Sequence, residues 1–174
     1  TPGYEGNTKV KWVRSIHVTD RPVMSRFETS KYTDLMANGK ALQFTLEMDV
    51  KSVITRPSNA MSLPRHGIYE VTGVAWSGGG KIARVEISAD GGKTWADAEL
   101  QEPVQSRMLT RFRIPWEWRG APATLQSRAW DETGRRQPSR RELLAARGHN
   151  GHYHYNAIHS WQVDDKGGIK HVYA

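Results

Sequence analysis

Between residues 68 and 173 the sequence is cut into short β-type runs by turn residues, and that rhythm limits the fold more than any other feature. Ile82–Ser88 shows it best. Ala83, Val85 and Ile87 alternate with Arg84, Glu86 and Ser88, the period of two that sends neighbouring side chains to opposite faces of a strand. Asp90-Gly91-Gly92 comes next, and its glycines supply the positive φ that a hairpin needs. Ile68–Trp76, Thr94–Leu100, Met108–Ile114, Ala123–Trp130, Ile158–Val163 and Ile169–Tyr173 bring the set to seven. Only Arg140–Ala146 (RRELLAA) reads as helix in this part. Short strands at this spacing predict an all-β fold, an antiparallel sandwich of immunoglobulin type.

Upstream the pattern changes. Lys9–Val18 alternates in part, through Val10, Trp12, Ile16 and Val18, and reads as a strand. Thr19–Lys40 is polar, holds Pro22, Asn38 and Gly39, and reads as an irregular excursion with one short helix near Ser25–Leu35. Arg56-Pro57-Ser58-Asn59 is a cluster of breakers. The change falls between residues 41 and 56, so the chain divides into an arm, 1–55, and a sandwich, 56–174. A chain of 174 residues suits one domain or one domain plus a fragment.

Composition excludes several classes of function. No apolar stretch approaches the roughly 18 residues of a membrane helix, so no membrane partner is expected. The count of cysteines is 0, which rules out disulfides, thiolate metal sites and a cysteine nucleophile within the chain. Thr1–Thr8 lacks the basic start and apolar run of a signal peptide, so an export address would lie upstream. The formal net charge of +7 favours anionic partners. The basic residues are scattered, though, as Lys9 and Lys11, Arg111 and Arg113, Arg135 and Arg136, and Arg140 and Arg141, which also suits a merely solvated surface. Trp76, Trp95, Trp116, Trp118 and Trp130 read as core or interface aromatics, and no nucleic-acid partner is expected. The glycine-rich stretches are not phosphate loops. Gly73 and Gly78 have the P-loop gap, but Gly79 stands where its lysine belongs. Gly92-Lys93-Thr94 has the right end, but Ile87 stands where its first glycine belongs.

Three segments together resemble the sulfite oxidase family of molybdenum enzymes. Gly6-Asn7-Thr8-Lys9-Val10-Lys11-Trp12 is similar to the stretch that closes the family's molybdopterin domain. Gly73-Val74-Ala75-Trp76-Ser77-Gly78-Gly79-Gly80, followed by Val85 to Trp95, resembles the opening strands of its C-terminal dimerisation domain, an E-set immunoglobulin-like sandwich. Ala129-Trp130-Asp131, Gln137-Pro138, Arg147-Gly148 and Asn156-Ala157 resemble its later strands. The stretch from Gly148 to Trp161 is longer than in the animal and plant enzymes and looks more like the molybdenum subunit of the bacterial sulfur-oxidising (Sox) system.

The resemblance implies a function. The parent would be a periplasmic oxidoreductase, a sulfite or sulfane dehydrogenase, oxidising a reduced sulfur compound at molybdenum and passing electrons to a c-type cytochrome. Its substrate would be sulfite or a sulfane carried on a protein thiol, and the sandwich would form a homodimer. Residues 1–55 would be the end of the molybdopterin domain, and the 174-residue piece would be inactive without the rest. The matching Lys9-Val10-Lys11 stretch would hold the pterin phosphate; otherwise these are exposed strand lysines around a buried valine. Arg147 would hold the substrate oxyanion, since a guanidinium fork gives two parallel hydrogen bonds. Arg147-Gly148 also reads as the end of the RRELLAA helix, with Gly148 as its cap. His149, His152, His154 and His159 are close in sequence, but their spacing is not that of a zinc site. They read as polar loop residues near a substrate channel, with no protein-bound metal. The alternative from another class is a non-catalytic basic β-sandwich that serves as an interaction module.

Overall fold

The structure is a computed structural model that describes residues 2–150 and 153–173. The chain begins with a single 3-10 turn, Gly6–Thr8, and a short helix α1 (Arg26–Ser30) whose first turn is capped by the Ser25 hydroxyl, which accepts from the Glu28 N–H. Strands β1 (Asp34–Leu35) and β2 (Ala41–Leu42) form a small hairpin. Then come β3 (Lys51–Arg56), β4 (Gly67–Trp76), β5 (Ile82–Ser88), β6 (Ala96–Asp97), β7 (Glu99–Gln101), β8 (Thr110–Trp118) and β9 (Ala123–Asp131). Helix α2 (Arg140–Arg147), β10 (Ser160–Val163) and β11 (Ile169–Val172) complete the chain.

Two antiparallel sheets make the sandwich, in the orders β3-β4-β8-β7 and β11-β10-β9-β5-β6. This is the all-β, immunoglobulin-like architecture expected. Val71, Ala75, Phe112 and Trp118 of the first sheet share one core with Val85, Ile87, Leu125, Ala129 and Val163 of the second. Each large apolar side chain so buried stabilises the fold by roughly 1.5–3 kcal/mol over an exposed one. Gly73 leaves room for this core: a Cβ there would lie 2.2 Å from Phe112 Cζ and 2.3 Å from the Val53 carbonyl oxygen.

Strand β3 is an edge, and side chains from the second half of the chain seal it. Asn156 Nδ2 donates to the Val50 carbonyl at 3.2 Å, Gln137 Nε2 to the Ser52 carbonyl at 3.2 Å, and Trp161 Nε1 to the Ile54 carbonyl at 3.0 Å. Gln137 Oε1 also accepts from the Ser52 N–H at 2.9 Å, so its amide stands in for a neighbouring strand. The outward backbone groups of alternate residues are thereby satisfied, as a covered edge requires.

Several expectations change. Lys9–Val18 forms no strand: residues 9–24 are irregular and exposed, because a strand needs a ladder partner and none pairs here among the described residues. The helix near Ser25–Leu35 is only five residues long, and its expected second half instead turns into β1. The strict alternation of Ile82–Ser88 is broken by a register shift between Ile82 and Arg84, which leaves Ala83 exposed. The run Thr94–Leu100 splits at Ala98, with β6 on β5 and β7 on β8. Strand β8 runs on through Pro115, where β7 no longer covers it and proline is tolerated. Strand β3 pairs with β4 from Lys51 onward. No helix of the described residues is long and apolar enough to cross a membrane.

Candidate functional site

Helix α2 sets the position of Arg147. Ser139 and Glu142 form a reciprocal capping box at its start, with the Ser139 N–H donating to Glu142 Oε2 at 2.7 Å. At its end Gly148 takes φ 85°, and its N–H donates to the Leu144 carbonyl at 2.8 Å. A Cβ on Gly148 would lie 3.2 Å from Ala37, so both the turn and the approach of the arm call for glycine. The cap reading of Arg147-Gly148 therefore holds.

From this helix end the Arg147 side chain reaches the arm. Its Nη2 donates to Asp49 Oδ2 at 2.8 Å and its Nη1 to the His154 carbonyl at 2.7 Å, and Nη1 lies 3.7 Å from Asp34 Oδ2. Asp34 is fully buried, and it also accepts from the backbone N–H groups of Tyr153 and His154. The His154 ring lies between the carboxylates, with Nδ1 3.6 Å from Asp34 and Nε2 3.8 Å from Glu5. Thr45 Oγ1 lies 2.9 Å from Nε2. Burial raises the Glu5 carboxyl above its usual range; His154 lowers it and Asp49 raises it again. Lys51 donates to the Tyr155 carbonyl at 2.7 Å, and burial lowers its ammonium.

The result is a charged clasp between arm and sandwich, flanked by two cavities. One, of about 170 Å³, is lined by Glu5, Asp49, Lys51, His154 and Asn156. The other, of about 400 Å³, is lined by Phe44, Thr45, Glu47, Asp49, Arg147 and His154. Arg147 is thus fixed, only 17% of its side chain is exposed, and its charge is balanced by Asp34 and Asp49. Nothing in the sequence pattern marked Asp34, Asp49, Thr45 or Glu5, none of which belongs to a recognisable motif.

Lys9, Val10 and Lys11 follow the 3-10 turn and are exposed. The Lys9 N–H donates to the Gly6 carbonyl at 3.1 Å. Among the described residues, neither ammonium makes an ion pair, the Val10 and Lys11 N–H groups make no hydrogen bond, and nothing joins this stretch to the Arg147 clasp. Free cationic and amide donors in a row are a set that fits a phosphate.

The histidines do not converge. His149 is exposed beyond α2, His154 is in the clasp, and His159 stacks on His171 with ring centroids 4.1 Å apart. Burial, then His171 and Lys51, lower the His159 imidazole. His152 lies outside the described residues. No group of three metal-ligating side chains occurs among the described residues.

The family model for the Mo-co oxidoreductase dimerisation domain matches residues 42–161. The chain belongs to that family. Mitochondrial sulfite oxidase of Mus musculus is 32% identical over 126 residues, which are 68% of this chain and 22% of that protein. Nitrate reductase 1 (NADH) of Arabidopsis thaliana is 31% identical over 165 residues, 80% of this chain and 18% of that protein. The crystal structure of the sulfane dehydrogenase SoxCD from Paracoccus pantotrophus matches with a TM-score of 0.93 at 48% identity, over 98% of this chain and 44% of that one. The homologues are molybdenum oxidoreductases, and the resemblance carried by the three sequence segments is borne out. The chain spans only about a fifth of the length of these curated relatives. The segments that carry the resemblance have structural roles in the sandwich: Gly73 makes room for Phe112, Gln137 and Asn156 seal β3, and Asp131 ties the Ser77 turn to β9 through Ser77 Oγ at 2.6 Å.

Proposed function

We propose that the chain is the C-terminal part of a molybdenum-dependent sulfite or sulfane dehydrogenase. Residues before β3 would belong to its molybdopterin domain, and the sandwich would pair with a second copy. The observation that carries this reading is the 48% identity to the SoxCD sulfane dehydrogenase across 98% of the chain. Sulfite oxidase and nitrate reductase relatives, at 32% and 31%, favour neither substrate over the other. The reading puts the parent protein in the periplasm, with a c-type cytochrome as its electron acceptor.

When bound, the molybdenum–pterin group supplies the two-electron redox chemistry. The Lys9 and Lys11 ammoniums and the amides of Val10 and Lys11 would hold its phosphate. Arg147 would face the sulfur oxyanion, with Asp34 and the His154 carbonyl fixing its guanidinium plane in advance. The chain has no cysteine to offer molybdenum, so the isolated 174-residue piece would neither retain the metal nor turn over sulfite.

In the full-length protein, Asp49→Asn separates an oxyanion role from a purely structural one. Asp49 competes with any anion for Arg147. If Arg147 holds substrate, removing that competitor lowers KM for sulfite or for a thiol-bound sulfane, and Arg147→Lys raises it. An unchanged KM in both variants, with lowered thermal stability, would leave Arg147 as a clasp alone. Lys9→Ala with Lys11→Ala should reduce molybdopterin content; full content would remove these lysines from the cofactor's site. A native subunit mass equal to this chain's 19.7 kDa, with no molybdenum, would replace the enzyme reading by the interaction module.

A further inference from the structure

A broad concavity lies away from the Arg147 clasp. It has a volume of about 820 Å³ and runs between the outer side of α2, strand β9 and the Gly91–Trp95 turn that follows β5. Its walls carry Arg128, Arg136, Arg140 and Arg141 against a single acid, Glu142. Two of these guanidiniums lie over aromatic rings. Arg128 Cζ is 4.0 Å from the centre of the Trp95 ring, and Arg140 Cζ is 5.3 Å from that of Tyr173. Stacking fixes the plane of a guanidinium while leaving its N–H edge open for a carboxylate.

The four arginines differ in what they have left to offer. Arg128 uses Nε on Glu86, at 2.6 Å, and Arg136 uses Nη2 on Glu142. Arg140 and Arg141 make no ion pair among the described residues. Arg113, Arg119 and Arg135, elsewhere on the sandwich, are each paired with an acid: Glu99, Glu117 and Asp131. The groove therefore sets two guanidiniums without an acid partner among the described residues, Arg140 and Arg141, beside Trp95 and Tyr173.

We propose that this groove docks an acidic segment of a partner protein, one that presents at least two carboxylates to Arg140, Arg141 and the stacked Arg128. A groove of this length exceeds what one small oxyanion needs, and its aromatic walls suit the side chains and backbone of an extended peptide. The fixed guanidinium planes select carboxylate pairs, and the open rim favours rapid, salt-sensitive association. The inference needs no redox activity and stands apart from the reading of Arg147.

The test is fluorescence anisotropy of a labelled Glu-Gly-Glu-Gly-Glu-Gly-Glu peptide titrated with the full-length protein, beside the same peptide with Gln for Glu. The acidic peptide should bind about tenfold or more tightly than the neutral one, and more weakly as salt rises. Arg140→Glu with Arg141→Glu should abolish that preference. These positions are exposed, and acids in the first turn suit the helix dipole, so α2 should survive. Arg140→Gln with Arg141→Gln serves as a milder second pair. Lys166→Glu with Lys170→Glu reverses the same charge at the β10–β11 turn and should leave binding within about threefold. Equal losses in the two charge-reversed pairs would reduce the effect to net charge and overturn the groove. Displacement of the peptide by sulfate at matched ionic strength would make it an inorganic-anion site instead. Dissociation of the dimer in the Arg140 and Arg141 variants would assign the groove to a contact between copies of the chain.

Discussion

The sandwich and the arm that precedes it treat apolar residues in opposite ways. In the sandwich Val71, Val85, Leu125 and Val163 are fully buried. In the arm Val10, Trp12, Ile16 and Val18 are between 72% and 97% exposed. The sandwich is held by a shared core and by side chains that seal its edge. The arm is held by β1–β2, by backbone bonds such as Met48 N–H to the Gly3 carbonyl at 2.9 Å, and by the charged clasp on Arg147. Hydrophobic burial is cooperative and non-directional. A clasp of ion pairs fixes orientation and adds little once its desolvation is counted. The sandwich should therefore carry most of the stability, and the arm should move on its own.

The largest expected effect is in the core. Phe112→Ala opens a cavity beside Gly73, which cannot fill it, and should cost about 3–5 kcal/mol in urea denaturation of the chain. A cost below about 1 kcal/mol would mean that the two sheets are not joined by one core.

Arg147→Ala comes next. It leaves the buried Asp34 with its backbone donors but without a cation, at a cost of about 3 kcal/mol. Hydrogen exchange should locate the loss. Protection should fall around β1, β2 and Tyr153–Asn156, while β5 and β9 keep theirs. An equal fall in β5 and β9 would make arm and sandwich one cooperative unit, and the comparison would fail.

Asp131 probes how the sandwich is pinned at one end. Burial by itself would raise this carboxyl, but bonds from Ser77, Thr133 and Arg135 outweigh that and hold it at about 2, below its ordinary 3.8. A depressed carboxylate contributes its stability above the unfolded value and loses it as pH falls through the folded one. The contribution, about 2 kcal/mol, should be present at neutral pH and fade between pH 3.8 and about 2. Thermal unfolding of Asp131→Asn beside the parent chain should show a gap at pH 7 that closes across this window. A constant gap would mean that the carboxylate's charge is irrelevant.

The two regions also differed in how far they could be read in advance. Strands β4, β5 and β9 were legible because Ile68–Trp76, Ile82–Ser88 and Ala123–Trp130 are short β-type runs separated by turn residues. Helix α2 was legible because RRELLAA ends on a glycine that both cap geometry and Ala37 require. Strand β3 was missed because Arg56-Pro57 follows it closely and Ser52, buried within it, is polar; Gln137 and Ser127, 85 and 75 positions away, satisfy it. Lys9–Val18 misled because alternation reports a preference for extended backbone and says nothing about a partner strand. The clasp was half visible. Arg147 stood out through its motif, but Asp34 and Asp49 are long-range partners, 113 and 98 positions away, that no local pattern announces.

The smallest effect is the sharpest test of the arm. Trp12 is 95% exposed and Ile16 84%, so neither has packing to lose within this chain. Replacing both by serine should leave stability within about 0.5 kcal/mol of the parent, because surface changes remote from any packed contact are nearly neutral. The same change should raise solubility, since it removes contiguous exposed apolar surface. In the full-length protein the two outcomes part. A loss of more than about 1 kcal/mol there, with none in the isolated chain, would mean that a neighbouring domain covers this face, as expected for the end of a cofactor domain. No loss in either setting would leave the arm's apolar residues bare in both, and its assignment to that domain would fall.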